Sequence, residues 1–160
     1  QKRVAIAPDE TAGELEVRLC SIGADMGVET VNGLEDHTLQ PQAQNAAGVT
    51  RAPKLEKEHG RIDWKQPAAQ IRNQIRGFNP FPGAFTTWQE QKLKIHRARM
   101  VEEAGTPGTV LNADPRRGLV IACGEGALLL QQVQPAGKAT MESKAFILGH
   151  AIEVGSRLGN

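Results

Sequence analysis

Apolar side chains recur along this chain with two different periods, and the change falls near Gly83. Before that point the spacing is helical. Leu15, Leu19 and Ile22 keep helical steps up to Gly23, and Ala68, Ile71, Ile75 and Phe78 do so after Pro67, a residue suited to a first helical turn. Thr11-Ala12-Gly13-Glu14 reads as a capping box, in which the Thr11 hydroxyl accepts from the Glu14 amide while the Glu14 carboxylate reaches back. A second, weaker helix is expected over residues 24–34, because Gly27 and Gly33 sit within or beside it. Val4-Ala5-Ile6, ending at Pro8, reads as a short strand. After Gly83 the pattern turns to strands, expected at residues 84–88, 92–101, 108–112, 118–123 and 127–134. Turns are expected at 89–91, 114–117 and 124–126, with a short helix at 142–148. Five such strands predict a small barrel, closed or partly open, because closure removes exposed edges.

Two segments interrupt these periods. Between Leu39 and Gly60 the composition shifts to Gln, Ala, Pro, Lys and Glu with no sustained apolar spacing, as in a linker, and Lys54 to His59 reads as a solvated helical turn. At Asn79-Pro80-Phe81-Pro82-Gly83 two prolines fix φ and remove two backbone donors from one short turn, marking the junction between helix and strands. A strand followed by two helices is too little to fold alone, so residues 1–40 read as the tail of a larger α/β domain. The chain opens on Gln1 and enters an apolar run at once, which reads as a piece of something longer.

Composition narrows the function. With 39% hydrophobic and 23% charged residues, no signal-peptide pattern and no apolar stretch near eighteen residues, membrane classes are set aside. Cys20 and Cys123 read as buried small hydrophobes, since neither has the spacing or the neighbouring His of a metal site. Net charge of +1 conceals an asymmetry: residues 1–60 carry −4, whereas residues 61–160 carry +5. That split points the second part toward a polyanion.

The sharpest binding signal is Lys92-Leu93-Lys94-Ile95-His96-Arg97-Ala98-Arg99-Met100. Leu93 and Ile95 point inward by alternation, then Ala98 and Met100, so a bulge at His96 and Arg97 must absorb a one-residue slip. Lys92, Lys94, Arg97 and Arg99 then share the outer face, with His96 beside them, and their field would hold an RNA backbone without reading its sequence. A merely solvated face fits the same strand. Arg72 and Arg76, four apart, share a face of the preceding helix. Gly124-Glu125-Gly126 reads as a hairpin turn, Glu102 and Glu103 as solvated loop carboxylates, and Trp64 and Trp88 as packing residues rather than base-stacking ones. No catalytic constellation emerges from spacing, and no metal site.

Ala52-Pro53-Lys54-Leu55-x-Lys57-Glu58, Arg61-Ile62-Asp63-Trp64, Ile71 to Ala84, Val120 to Leu129 and Gln134-Pro135-Ala136-Gly137-Lys138 occur in order. Together with the capped helix from Asp9, they resemble the C-terminal half of the bacterial methionyl-tRNA formyltransferase family. The resemblance implies a parent enzyme that moves a formyl group from 10-formyltetrahydrofolate to the amino group of initiator methionyl-tRNA. Its catalytic Asn-x-His and His-x-Ser-Leu-Leu-Pro motifs, which belong to the N-terminal Rossmann-like domain, do not occur here, so no catalytic residue carries over and the chain alone is expected to be inactive.

By the same resemblance residues 1–40 are the end of that catalytic domain, 41–64 a linker, and 65–160 a mainly β domain of the oligonucleotide-binding (OB-like) barrel type with flanking helices. The expected tRNA-binding set is Lys54, Lys57, Arg72, Arg76, Lys92, Lys94, Arg97, Arg99 and Lys138. The resemblance further implies a monomer in the bacterial cytoplasm that needs no cofactor of its own. The sequence departs from the family at Asp25-Met26-Gly27, at Gln89-Glu90-Gln91, which lacks the usual glycine, and at Ala139, where a second lysine is common. Sugar-nucleotide or folate-hydrolysing formyl enzymes share the Ile-Asp-Trp and Ile-Arg-Gly elements and form the alternative within the superfamily. A stand-alone RNA-binding barrel is the alternative outside it, and it would require stacking aromatics that a chain with four Phe and two Trp barely supplies.

Overall fold

A computed structural model describes residues 1–159, which divide into two compact units, Gln1–Leu55 and the chain from Glu56 onward. The first unit is built on α1 (Ala12–Glu35). Its capping box forms as the sequence predicts: the Glu14 amide donates to Thr11 Oγ1 at 3.3 Å, and the Thr11 amide donates to the Glu14 carboxylate at 2.8 Å. Arg18 ties the leading segment to the helix by donating to both Glu10 carboxylate oxygens and to the Ala5 carbonyl. That contact holds the Glu10 carboxyl below its ordinary value.

Two expectations fail in this unit. Residues 4–6 form no strand, since no second strand exists among residues 1–55 to complete a ladder. The two helices are one, running through Gly23 and Gly27. Each glycine costs about 1 kcal/mol relative to Ala, less than breaking the helix and leaving two new ends uncapped. The true stop lies further on. His37 takes a left-handed φ of 57°, its amide donates to the Leu34 carbonyl, and the Thr38 amide reaches back to Gly33, the pairing of a Schellman motif. Gly33 is needed there because a Cβ would lie 2.7 Å from Leu39 Cγ, which folds back over it. No residue of α1 is buried, and Val17, Val28, Val31 and Leu34 are exposed.

The second unit opens with a 3-10 turn (Lys57–Gly60) and α2 (Ala68–Gly77). The strands β1 (Ala84–Trp88), β2 (Gln91–Val101), β3 (Val110–Asp114), β4 (Gly118–Ala122), β5 (Ala127–Pro135) and β6 (Met141–Glu142) follow, and then α3 (Ser143–Gly149). Strand order is β1-β2-β5-β4-β3, antiparallel throughout, with β6 beside the far part of β5. Leu93, Ile95, Leu119, Ile121, Leu128, Leu130 and Val133 form one buried face, packed against Ile71 and Ile75 of α2 and Phe146 of α3. Ile62 and Trp64 belong to this core, and the Trp64 indole N–H donates to the buried Thr86 hydroxyl at 3.0 Å. Trp88 packs edge-on against Phe146, as a packing residue should.

The sheet is not closed into a barrel by strand pairing, because β1 and β3 are its two free ends. Loops cover those ends instead. The Ile62 amide donates to Phe85 O and the Gly159 amide to Thr87 O along β1, while Gly155, Ser156 and Leu158 exchange bonds with Gly108 and Val110 beside β3.

Candidate nucleic-acid interface

Register decides which side chains share the outer face of β1 and β2. Ala84 opposes Ile95 and Thr86 opposes Leu93 on the buried side, so Phe85 with Lys94 and Thr87 with Lys92 face outward. Phe85 is nevertheless only 3% exposed. Gly60 lies against its ring edge and against the Gly83 backbone, a contact so close that no Cβ could fit at Gly60. Two cations complete the cover, with Lys92 Nζ 3.8 Å and Arg61 Cζ 5.5 Å from the ring centroid. Such contacts contribute roughly 0.5–2 kcal/mol and hold both charges at fixed positions on the surface.

Further along β2 the expected bulge is present, with the register to β5 shifting on both sides of Arg97. Ala98 returns to the core opposite Leu130. Met100, expected inward, pairs with Leu128 in register but stays half exposed toward the strand's end. Gln134, opposite Lys94, connects the row to the following turn. Its Nε2 donates to the Lys138 carbonyl at 2.9 Å, which leaves Oε1 to accept from His96 Nε2 at 3.1 Å and so fixes the proton of that ring on Nε2. Asn79 Nδ2 donates to the His96 carbonyl at 3.0 Å, bringing the proline junction against the same strand.

Among the described residues no carboxylate lies within 4.0 Å of Lys92, Lys94, Arg99 or Lys138. Arg61 has only Glu58 at 3.9 Å, an exposed pair that neutralises little. Arg97 stands in one row with Gln132 and Glu142, so a negative charge lies two strands away from it. The other expected residues lie elsewhere. Arg72 and Arg76 are on α2, which covers the buried side of β2. Lys57 is exposed on the 3-10 turn beside β1, and Lys54 belongs to the first unit. Arg61 was not singled out from sequence, although it directly precedes the buried Ile62.

The Asp63 carboxyl is held below its ordinary value mainly by the Lys65 amide, and then by the Gln66 side chain, which makes it a turn-ordering group ahead of α2. Glu103 pairs with Arg117 at 3.0 Å rather than standing solvated alone. Burial pushes the Cys123 thiol up to about 12, whereas Cys20, expected to be buried, is exposed on α1. No group of three or more His, Cys, Asp or Glu among the described residues could hold a metal.

Residues 54–151 match the formyl transferase, C-terminal domain family. The chain belongs to that family. Methionyl-tRNA formyltransferases from Magnetococcus marinus and Symbiobacterium thermophilum are each 45% identical, over 93% and 97% of this chain and 47% and 48% of their own lengths. The methionyl-tRNA formyltransferase of Myxococcus xanthus is 42% identical over 98% of the chain and 50% of its own length. The chain thus spans about half the length of the curated relatives it matches. Among solved structures, a variant of HypX from Aquifex aeolicus superposes with a TM-score of 0.62 at 22% identity, over 83% of this chain and 24% of HypX. HypX in complex with tetrahydrofolic acid gives 0.60 at 23%, over 78% and 22%. These two share the fold. As in this formyl transferase C-terminal domain, that fold is mainly antiparallel sheet with flanking helices.

Proposed function

We propose that this chain is the C-terminal region of a methionyl-tRNA formyltransferase and holds initiator methionyl-tRNA for an N-terminal domain of the same enzyme. That domain transfers the formyl group from 10-formyltetrahydrofolate to the methionyl amino group at the start of protein synthesis in the bacterial cytoplasm. The observation that carries the reading is the outer face of β2. Lys92, Lys94 and Arg99 stand there with no carboxylate in reach, and the Gln134–His96 contact joins Lys138 to them. An OB-like sheet whose two ends are covered by loops suits a long polyanion, since cations on neighbouring strands of one face can follow a phosphate backbone. Lys54, Lys57, Arg72, Arg76 and Arg97 extend the positive field rather than defining the contact row. A small nucleotide sugar would not need so extended a surface, which favours tRNA over the other formyl enzymes.

The test is the salt dependence of tRNA binding by the 160-residue chain. Binding should be micromolar or weaker, with little sequence preference and a steep slope of log K against log salt. Replacing Lys92, Lys94, Arg97 and Arg99 by Ala should flatten that slope by roughly 0.7–0.9 for each phosphate that is no longer neutralised. An unchanged slope would remove this face from the interface.

A further inference from the structure

Of the chain's six Phe and Trp rings, five are buried or half-buried: Trp64, Phe78, Phe85, Trp88 and Phe146. Phe81 alone is mostly exposed, at 60%. An apolar ring held in water calls for a ligand, and the turn that carries it indicates which kind. The turn that carries it is fastened at both ends: the Gly83 amide donates to the Phe78 carbonyl at 2.8 Å, and the Asn79 side chain donates to the His96 carbonyl on β2. Pro80 and Pro82 flank the ring and restrict φ on either side. The aliphatic stem of Lys94 runs beside Gly83, since a Cβ there would lie 4.0 Å from Lys94 Cδ. The ring is thus carried, exposed, on a turn whose two ends lie against β2, Asn79 at the His96 carbonyl and Gly83 at the Lys94 stem.

We infer that Phe81 is a stacking platform for one unpaired RNA base, with Lys94 and Lys92 holding the phosphates on either side of it. This rests on the tRNA reading above and adds which part of the RNA meets the sheet. A single exposed ring takes a single base, so the fitting partner is a frayed end or a splayed nucleotide beside a helix, and neither a long single strand nor an uninterrupted duplex. Stacking is indifferent to base identity because every base presents a π-face. The site thus selects unpaired structure and leaves sequence unread.

The experiment compares two RNAs binding to the 160-residue chain: a blunt duplex, and the same duplex with a short overhang carrying 2-aminopurine. Wild-type chain should bind the overhang duplex more tightly and quench its fluorescence. Phe81→Ala should lose about tenfold on the overhang duplex, keep its affinity for the blunt one, and leave the salt slope unchanged because no charge is removed. Phe81→Leu should behave like Phe81→Ala, and Phe81→Trp should retain affinity and quenching. Lys94→Ala should instead weaken both RNAs and make the slope shallower. Full affinity in Phe81→Leu would mean that the ring is an apolar contact for another surface, and equal losses on both RNAs would mean that it only supports the turn. Either result overturns the inference while leaving the tRNA reading intact. Failure of wild-type chain to bind either RNA overturns both.

Discussion

The buried indole N–H of Trp64 relies on the Thr86 hydroxyl, a bond that fixes the start of the second unit to β1. Thr86→Val keeps the shape and removes the acceptor, so a donor is stranded in the core. We expect a loss of about 1–3 kcal/mol by denaturant unfolding. Thr86→Ser, which keeps the oxygen, should cost less. Cys123 gives a residue-level pH effect of definite sign. Its folded thiol titrates near 12 against an ordinary value of 9.0, because burial disfavours the thiolate. The unfolded chain therefore releases this proton first, and stability should fall as pH rises from about 9 toward 12, a slope that Cys123→Ala removes. Native chain should accordingly react with a thiol reagent at the exposed Cys20 and not at Cys123. From sequence both cysteines looked alike, since each has apolar neighbours. What separates them is packing: Cys123 lies in the core of the second unit, whereas Cys20 is exposed on α1.

Most elements after Gly83 were legible, because β2 and β5 alternate about a buried face and the slip at His96 and Arg97 could be counted directly, but β3 begins and ends two residues later than expected, and β4 is buried at every position and so carries no alternation. β6 was missed, as two residues carry no alternation. The error in α1 has another origin: glycine propensity is a local term, and the stop is a cap formed by His37 and Leu39, residues beyond the apolar period. The hairpin joining β1 and β2 supports a prediction of its own. Gln89 and Glu90 take φ of 48° and 62°, left-handed values that cost an ordinary side chain about 1 kcal/mol or more. Replacing the pair by Asn-Gly should stabilise the second unit by about 1 kcal/mol with little change in the slope of denaturant unfolding.

At the scale of the molecule, the charge split seen in the sequence coincides with the division in structure, the acidic excess lying in or next to the first unit and the basic excess in the second. The candidate site was legible only in part. Lys92 and Lys94 could be assigned a face by alternation, but the role of Phe85 beneath Lys92 and the link from His96 to Lys138 depend on register between strands far apart in sequence. Ring closure was expected of the strands themselves, yet backbone from outside them completes the circuit. Residues 155–159 act as a clasp across the seam, with the Gly159 amide on β1 and the Gly155 and Leu158 amides on the β3 side. A chain cut after Val154 would bare two lines of hydrogen-bonding groups at once. Such a cut should make the chain pair with its own copies more than the uncut chain does, visible as concentration-dependent growth in size-exclusion chromatography and as dye-binding aggregates on mild warming.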